Sequence, residues 1–314
     1  MDRRRLAHLL LLGSATLFGV LALPWSGTAS EAPAGDPAGE PPATPPPALG
    51  DFELDEESGR YVAPLGGGRA VLTLKPGLQA RLERLLSDYR VPWGATVLIE
   101  PRSGRVLALA EHSQREPEAR GLPLRAMAPA ASIFKIVTTA ALLQRGVEPD
   151  AEVCYHGGKH RLAPRHLADD PRRDRRCLTL ASALGHSANA VFAKLADRGL
   201  SAELLRGEAE RFLWNAPIPF ARPVEVSRAD IPDDPFSLAR TAAGFGPVRL
   251  SALHAAVVAA IVANGGVFVP PEIVDSADGV PRPGSPAARR GWGRSTGSAP
   301  PRRAGAPPTG RGRR

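Results

Sequence analysis

The chain has 314 residues, 43% of them hydrophobic, with 33 prolines, 32 glycines and a formal net charge of +8. That composition leaves room for one sizeable packed domain plus accessory segments, and it excludes a chain disordered throughout. It also argues against a nucleic-acid partner. Nine arginines and no acid fall in residues 279–314, and setting them aside takes +8 to −1, with no aromatic–basic recognition module elsewhere.

At the N-terminus, Arg3, Arg4 and Arg5 precede an apolar run from Leu6 to Leu23, the arrangement of a signal peptide or membrane anchor over residues 1–24. As a helix the run spans about 27 Å, against a bilayer core of about 30 Å. Gly27-Thr28-Ala29 offers small residues for cleavage. An anchor through residues 6–23 and a cleaved signal both stand. Either way the arginines stay inside and the rest is exported, to the periplasmic or extracytoplasmic face of the inner membrane. Residues 25–68 read as a linker: Pro45-Pro46-Pro47 marks an extended spacer, and Asp51 to Pro64 is acidic with little to order it.

Ordered structure is expected over residues 69–276. Ala70 to Leu74 reads as a strand, and Leu78 to Tyr89 as an amphipathic helix with Leu78, Leu82, Leu85 and Leu86 on one stripe. Ala95 to Glu100 and Arg105 to Ala110 form a hairpin about the Ser103-Gly104 turn. After a polar loop to Ala130, Ser132 to Arg145 is helical and stops at Gly146. Glu148 to Arg176 is irregular and charged. Helices resume at Leu178–Gly185, Ala188–Arg198 and Ala202–Leu213. Trp214 to Pro235 is loop, Ser251 to Asn264 an apolar helix ended by Gly265-Gly266, and Val267 to Val269 a further strand. From Ala277 there is no Leu, Ile or Phe, so residues 277–314 read as a disordered basic tail. Such a tail is also what a GC-rich gene yields out of frame, and an intact downstream reading frame in another phase would establish that origin.

Export places Cys154 and Cys177 where disulfides persist. A bridge closes a loop of about 22 residues, worth on the order of 3 kcal/mol, in a segment with little else to order it. Two free thiols are the alternative. A metal site with His156 and His160 is a second one, although the spacing fits no standard zinc pattern.

Two short motifs carry chemistry. Ser132-Ile133-Phe134-Lys135 places a hydroxyl and an amine on one helix face, at a helix start where the dipole favours developing negative charge. A serine nucleophile needs a neighbour that takes its proton, and lysine can do so where arginine cannot. The chain has four lysines and 36 arginines, yet one lysine stands here, flanked by Phe134, Ile136 and Val137 that desolvate its amine and lower its pKa. In Ser187-Ala188-Asn189, the hydroxyl can relay a proton while the amide holds a substrate backbone and the lysine. Taken singly, each motif also reads as a helix cap: an N-cap serine with a surface lysine, and a Ser/Asn helix corner.

In this order and 55 residues apart, the two motifs resemble the penicillin-binding protein transpeptidase family, within the serine acyltransferase and serine β-lactamase-like superfamily. Leu72-Thr73-Leu74 with Leu78-Gln79 is similar to that family's opening segment, and the Val97 to Leu109 hairpin to its first sheet strands. Gly244-Phe245-Gly246, Leu250-Ser251-Ala252-Leu253 and Ala263-Asn264-Gly265-Gly266 extend the likeness. The resemblance implies an α/β (α+β) fold, an antiparallel sheet packed with helices plus an all-helical subdomain. It implies Ser132 as acylated nucleophile, Lys135 as general base, Ser187 as proton shuttle and Asn189 as peptide holder, with the Ser132 N–H as half of an oxyanion hole. It implies peptidoglycan D-Ala-D-Ala stem peptides as substrates, acylation by β-lactams, cell-wall synthesis proteins as partners, and no cofactor or metal.

One departure stands out. The family's third motif, Lys-Thr-Gly, binds the substrate carboxylate and supplies the second oxyanion N–H, and no lysine here precedes Thr-Gly. Arg294-Ser295-Thr296-Gly297 follows Asn264 by about 30 residues, too soon for the intervening strands, and reads as coincidence. The fold is therefore expected to lack its C-terminal strands and the activity to be impaired, since one lost oxyanion donor costs about 10²–10³ in rate. A non-catalytic envelope scaffold is one alternative. A β-lactamase or β-lactam sensor is another, without a convincing deacylating glutamate between the second motif and Gly244.

Overall fold

The computed structural model describes residues 48–278. The signal-or-anchor segment, most of the Pro-rich spacer, and all but the first two residues of the 277–314 tail, Arg294–Gly297 included, lie outside the described residues, and Ala277 belongs to a strand. Among the described residues no helix is long and apolar enough to cross a membrane.

The first packed elements lie earlier than the sequence led us to expect. Strands β1 (Glu53–Asp55), β2 (Arg60–Leu65) and β3 (Gly68–Leu72) form an antiparallel meander, and β10 (Val274–Ala277) pairs with β3 on its far side. The reading of Asp51–Pro64 as unordered linker is thereby corrected. Val62, Ala63 and Leu65 are buried, and Gly66-Gly67, both at positive φ, close the two-residue hairpin turn that such glycines favour. Val267–Val269 is not a strand; the pairing strand comes at β10, where Asp275 accepts from Arg60 (2.7 Å) and Arg105 (2.8 Å).

The expected hairpin forms from β4 (Gly94–Ile99) and β5 (Val106–His112), and the two-residue strands β6 (Ala128–Pro129) and β9 (Arg249–Leu250) pair with each other. Helix α1 (Pro76–Asp88), which opens on a proline at its first position, lies on β5. Its buried Gln79 exchanges two hydrogen bonds with Leu109, Nε2 to the carbonyl (3.0 Å) and the Leu109 N–H to Oε1 (2.8 Å). The amide thus takes the place of a neighbouring strand on β5, whose buried backbone would otherwise stay unpaired. Buried Thr73 donates to the Val106 carbonyl (2.5 Å), and the Val106 N–H reaches Glu272 (2.8 Å), which ties the two sheets together.

The helical part packs around α2 (Phe134–Gln144), touched by α3 (Leu180–Gly185), α4 (Asn189–Gly199), α5 (Ala202–Arg211) and α6 (Pro235–Ala242). Phe134, Val137, Ala141 and Leu142 of α2 are wholly buried with Phe192 and Trp214, and the Phe134 and Trp214 rings meet edge-on at 5.4 Å. Helix α6, unmarked by periodicity, does carry a start signal: Pro235 follows Asp234, whose carboxylate accepts from the Ser237 N–H (2.7 Å). The apolar helix α7 (Ala252–Ala263) packs on β4, with Leu253, Val257, Val258 and Ile261 inward. Residues 148–176 are irregular only in part. Their ends form strands β7 (Glu152–Tyr155) and β8 (Arg176–Thr179), in which Cys154 lies opposite Cys177 and is joined to it by a disulfide. With the sulfurs bonded to each other, the metal reading loses its thiolates.

One buried group in this core sits at odds with its surroundings. Both oxygens of Glu208 on α5 are buried without a hydrogen-bond partner, Arg211 approaches only to 3.5 Å, and burial pushes the carboxyl up to about 7. The folded state therefore holds a proton that the unfolded chain releases near pH 4.5. Its stabilisation is present below that pH and is lost as pH rises through about 7. Urea unfolding at pH 5 and pH 8 should show Glu208→Gln gaining about 2 kcal/mol on wild type over that interval. A difference that does not change with pH contradicts this account.

Candidate active site

Ser132 and Lys135 lie at the entry to α2, and Ser187 at the corner between α3 and α4. Lys135 is 1% exposed, and its Nζ donates to Ser132 Oγ at 3.0 Å. Ser132 Oγ lies 2.6 Å from Ser187 Oγ. Burial pulls the Lys135 amine down to about 8, and the Phe192 ring lies 5.8 Å from it. An amine so placed loses its proton at moderate pH and can accept one from the serine beside it. The three polar atoms form a continuous hydrogen-bonded chain from Lys135 Nζ through Ser132 Oγ to Ser187 Oγ.

The cap interpretation fails on geometry. Neither α2 nor α4 has a side-chain cap; the N-cap residues are Ile133 and Ala188. The Ser132 and Ser187 hydroxyls are engaged with each other, and that of Ser132 also accepts from the amine. Asn189 opens α4 and donates from Nδ2 to the Lys159 carbonyl at 2.7 Å; the expected hold of its amide on Lys135 is not among the hydrogen bonds of the described residues. The structure therefore brings Ser132, Lys135 and Ser187 into direct contact, and turns Asn189 towards the 156–175 loop.

Backbone strain collects at the same point. Ala131 (φ 47°) and Ser187 (φ 51°) both sit in the left-handed region, which costs a residue with a Cβ about 1–2 kcal/mol. Gly244 makes the first possible: a Cβ there would lie 2.4 Å from the Ala131 carbonyl oxygen, so only glycine lets that turn support Ser132. Ser187 closes α3 in the way a C-terminal glycine usually does. Its N–H bonds Leu184 (3.0 Å) and the Ala188 N–H bonds Ala183 (2.8 Å), the paired bonds of a Schellman ending. A serine where glycine is cheaper puts a hydroxyl within reach of Ser132.

The sequence reading missed Ala131, and it valued Gly244 only as part of a longer stretch. It also missed Lys194 and Asp174 beneath Asn189, and named His156 there only as a possible metal ligand. Lys194 on α4 is wholly buried and donates to Asp174 (2.5 Å), Asp169 (3.1 Å) and the Cys154 carbonyl (3.0 Å). One signal was available, since it is one of only four lysines and lies five residues after Asn189.

A family model described as the penicillin binding protein transpeptidase domain matches residues 94–296. The chain is 28% identical to the peptidoglycan D,D-transpeptidase PbpA of Mycobacterium tuberculosis over 247 residues, covering 68% of this chain and 50% of that protein. PbpA of Mycolicibacterium smegmatis is also 28% identical, over 254 residues with the same shares. The chain spans about half the length of these curated relatives. Among solved structures, the penicillin G acyl-enzyme complex of penicillin-binding protein A from M. tuberculosis has a TM-score of 0.54 at 27% identity, over 71% of this chain and 57% of that one. The D,D-transpeptidase domain of a peptidoglycan glycosyltransferase from Eggerthella lenta has a TM-score of 0.55 at 23% identity, over 72% and 69%, and shares the fold.

The strain at Ser187 separates stability from chemistry. Ser187→Gly is expected to raise unfolding stability by about 1 kcal/mol, because glycine takes the left-handed conformation freely, while Ser132 becomes less reactive. Paired melting and labelling measurements check this, and a variant both less stable and equally reactive refutes it.

Proposed function

The chain belongs to the penicillin-binding protein transpeptidase family, and on that premise we propose that it is a D-Ala-D-Ala transpeptidase-type serine acyltransferase acting on peptidoglycan stem peptides outside the cytoplasmic membrane. The contact of Lys135 Nζ with Ser132 Oγ at 3.0 Å, with Ser187 Oγ 2.6 Å further on, carries this reading. The disulfide between Cys154 and Cys177 supports an oxidising, extracytoplasmic setting, in which residues 6–23 are signal or anchor.

In this mechanism Ser132 Oγ attacks the carbonyl carbon of the penultimate D-Ala as its proton passes to the neutral Lys135 amine. The tetrahedral oxyanion that forms is stabilised in part by the Ser132 N–H. The bond from that carbon to the terminal D-Ala nitrogen then breaks, and the proton reaches the leaving amine through Ser187. The acyl ester on Ser132 is next attacked by an acceptor amine, whose proton returns along the same path and restores the serine hydroxyl. Asn189 holds the peptide backbone beside the ester. A β-lactam enters at the first step: its ring amide opens on Ser132 and its nitrogen stays tethered, so no leaving group departs.

A fluorescent penicillin should label wild-type protein covalently at Ser132, as peptide mass mapping will show, with no label on Ser132→Ala. Absence of label on wild type at any dose replaces the enzyme with a non-catalytic scaffold of the same fold, and rapid hydrolysis of the label makes it a β-lactamase. The acylation rate should rise with pH and level off above about 8, because only the neutral Lys135 amine accepts the proton. Lys135→Arg should lose at least about 10³-fold and show no such rise; a pH-independent wild-type rate would remove Lys135 from the role of base.

A further inference from the structure

Asn189 is held from below by a group of residues that the acyl-transfer chemistry itself does not use. Its Nδ2 donates to the Lys159 carbonyl, 30 residues earlier in the chain. Lys159 belongs to the loop between β7 and β8, which has few apolar anchors of its own; Leu162 and His166 are among its buried side chains. Gly158 (φ 71°) presses on the first turn of α4, where a Cβ would lie 2.8 Å from Ala190 Cβ.

The root of this loop is gripped by the same helix. Lys194, in the second turn of α4, donates to the Cys154 carbonyl at one end of the loop and to Asp169 and Asp174 at the other. Asp174 gathers further donors: His156 Nδ1 on Oδ1 (2.5 Å) and the Asp170 N–H on Oδ2 (3.0 Å). Burial alone would raise the Asp174 carboxyl, yet the Asp170 N–H, Lys194 and His156 hold it well below the usual carboxylate range. A buried ion pair of this kind adds little net stability over a packed apolar pair, because both charges are stripped of water. What it does supply is a fixed geometry. Cys154, His156, Asp169 and Asp174 are all indexed to the helix that begins with Asn189.

We propose that Lys194 and Asp174 are positioning residues that set the 156–175 loop on α4, so that the Lys159 carbonyl orients the Asn189 amide. This rests on the acyl-transfer reading of the site. With one Nδ2 hydrogen committed to Lys159, the amide is fixed against flipping, and its Oδ1 and second Nδ2 hydrogen are left for the substrate backbone. An amide free to flip would present donor and acceptor in turn, and part of the enzyme would meet each substrate with the wrong end.

The test is a double-mutant cycle on the full chain, read as the second-order rate of acylation by a fluorescent penicillin. Asp174→Asn should slow acylation about tenfold, and in the Asn189→Ala background it should slow it no further, because the group it orients is gone. A merely structural role gives the same fold-loss in both backgrounds, and that result, or a wild-type rate in Asp174→Asn, overturns the proposal. Where Asp174→Asn does not fold by circular dichroism, Gly158→Ala pushes the loop off Ala190 with the charges intact, and is read in the same two backgrounds with the same outcomes. Failure of wild type to label at all overturns the acyl-transfer reading together with this one. A labelled wild type with additive losses overturns the positioning role alone.

Discussion

Everything at this site depends on an amine held out of water beside a hydroxyl. An ammonium group in solution gives up its proton near pH 10.4 and is no base at neutral pH. Lys135 is fitted to be one because α2 is enclosed by α3, α4, α5 and α6, so that this side chain at its start is 1% exposed while Ser132, one turn earlier, stays open. Burial penalises the charged form and brings the amine down to about 8. The apolar packing of Phe134, Val137 and Phe192 is thus part of the chemistry as well as of the core.

A second constraint is conformational. The two hydroxyls meet because Ala131 and Ser187 accept left-handed backbone, and because Gly244 leaves room for the Ala131 carbonyl. Strain of this kind persists only where the surroundings over-determine it. Here the Schellman bonds of α3, the packing of α6 and the start of α4 do so. The helical layer gives up some stability to hold three polar atoms together, much as it tolerates in Glu208 a buried carboxyl without a hydrogen bond.

The sheet region has a different task. β4 and β5 with α1 and α7 form a platform, joined through Thr73, Val106 and Glu272 to the meander of β1, β2, β3 and β10. The ionic clasp of Arg60 and Arg105 on Asp275 is half-exposed and adds little energy by itself. It does select β10 as the neighbour of β3, which gives the meander a partner on that side.

Local rules made much of this readable in advance. The spacing of Ser132 and Lys135 set both on one helix face, because three residues is nearly a full turn. The alternation from Ala95 to Ala110 declared a hairpin, and the order of the two serine motifs declared the family. The strand at Arg60–Leu65 was missed because an acidic composition masked a short apolar pair beside a Gly-Gly turn. What no local rule could supply was distance between remote parts of the chain. That Ser187 lies 2.6 Å from Ser132, that Asn189 turns to Lys159, and that Lys194 is buried among Asp169, Asp174 and Cys154 follow from how helices cross and loops close. The sequence by itself determined which residues could do acid–base chemistry. Only the tertiary structure decided which of them meet, since burial and contact belong to the packed whole and not to any segment of it.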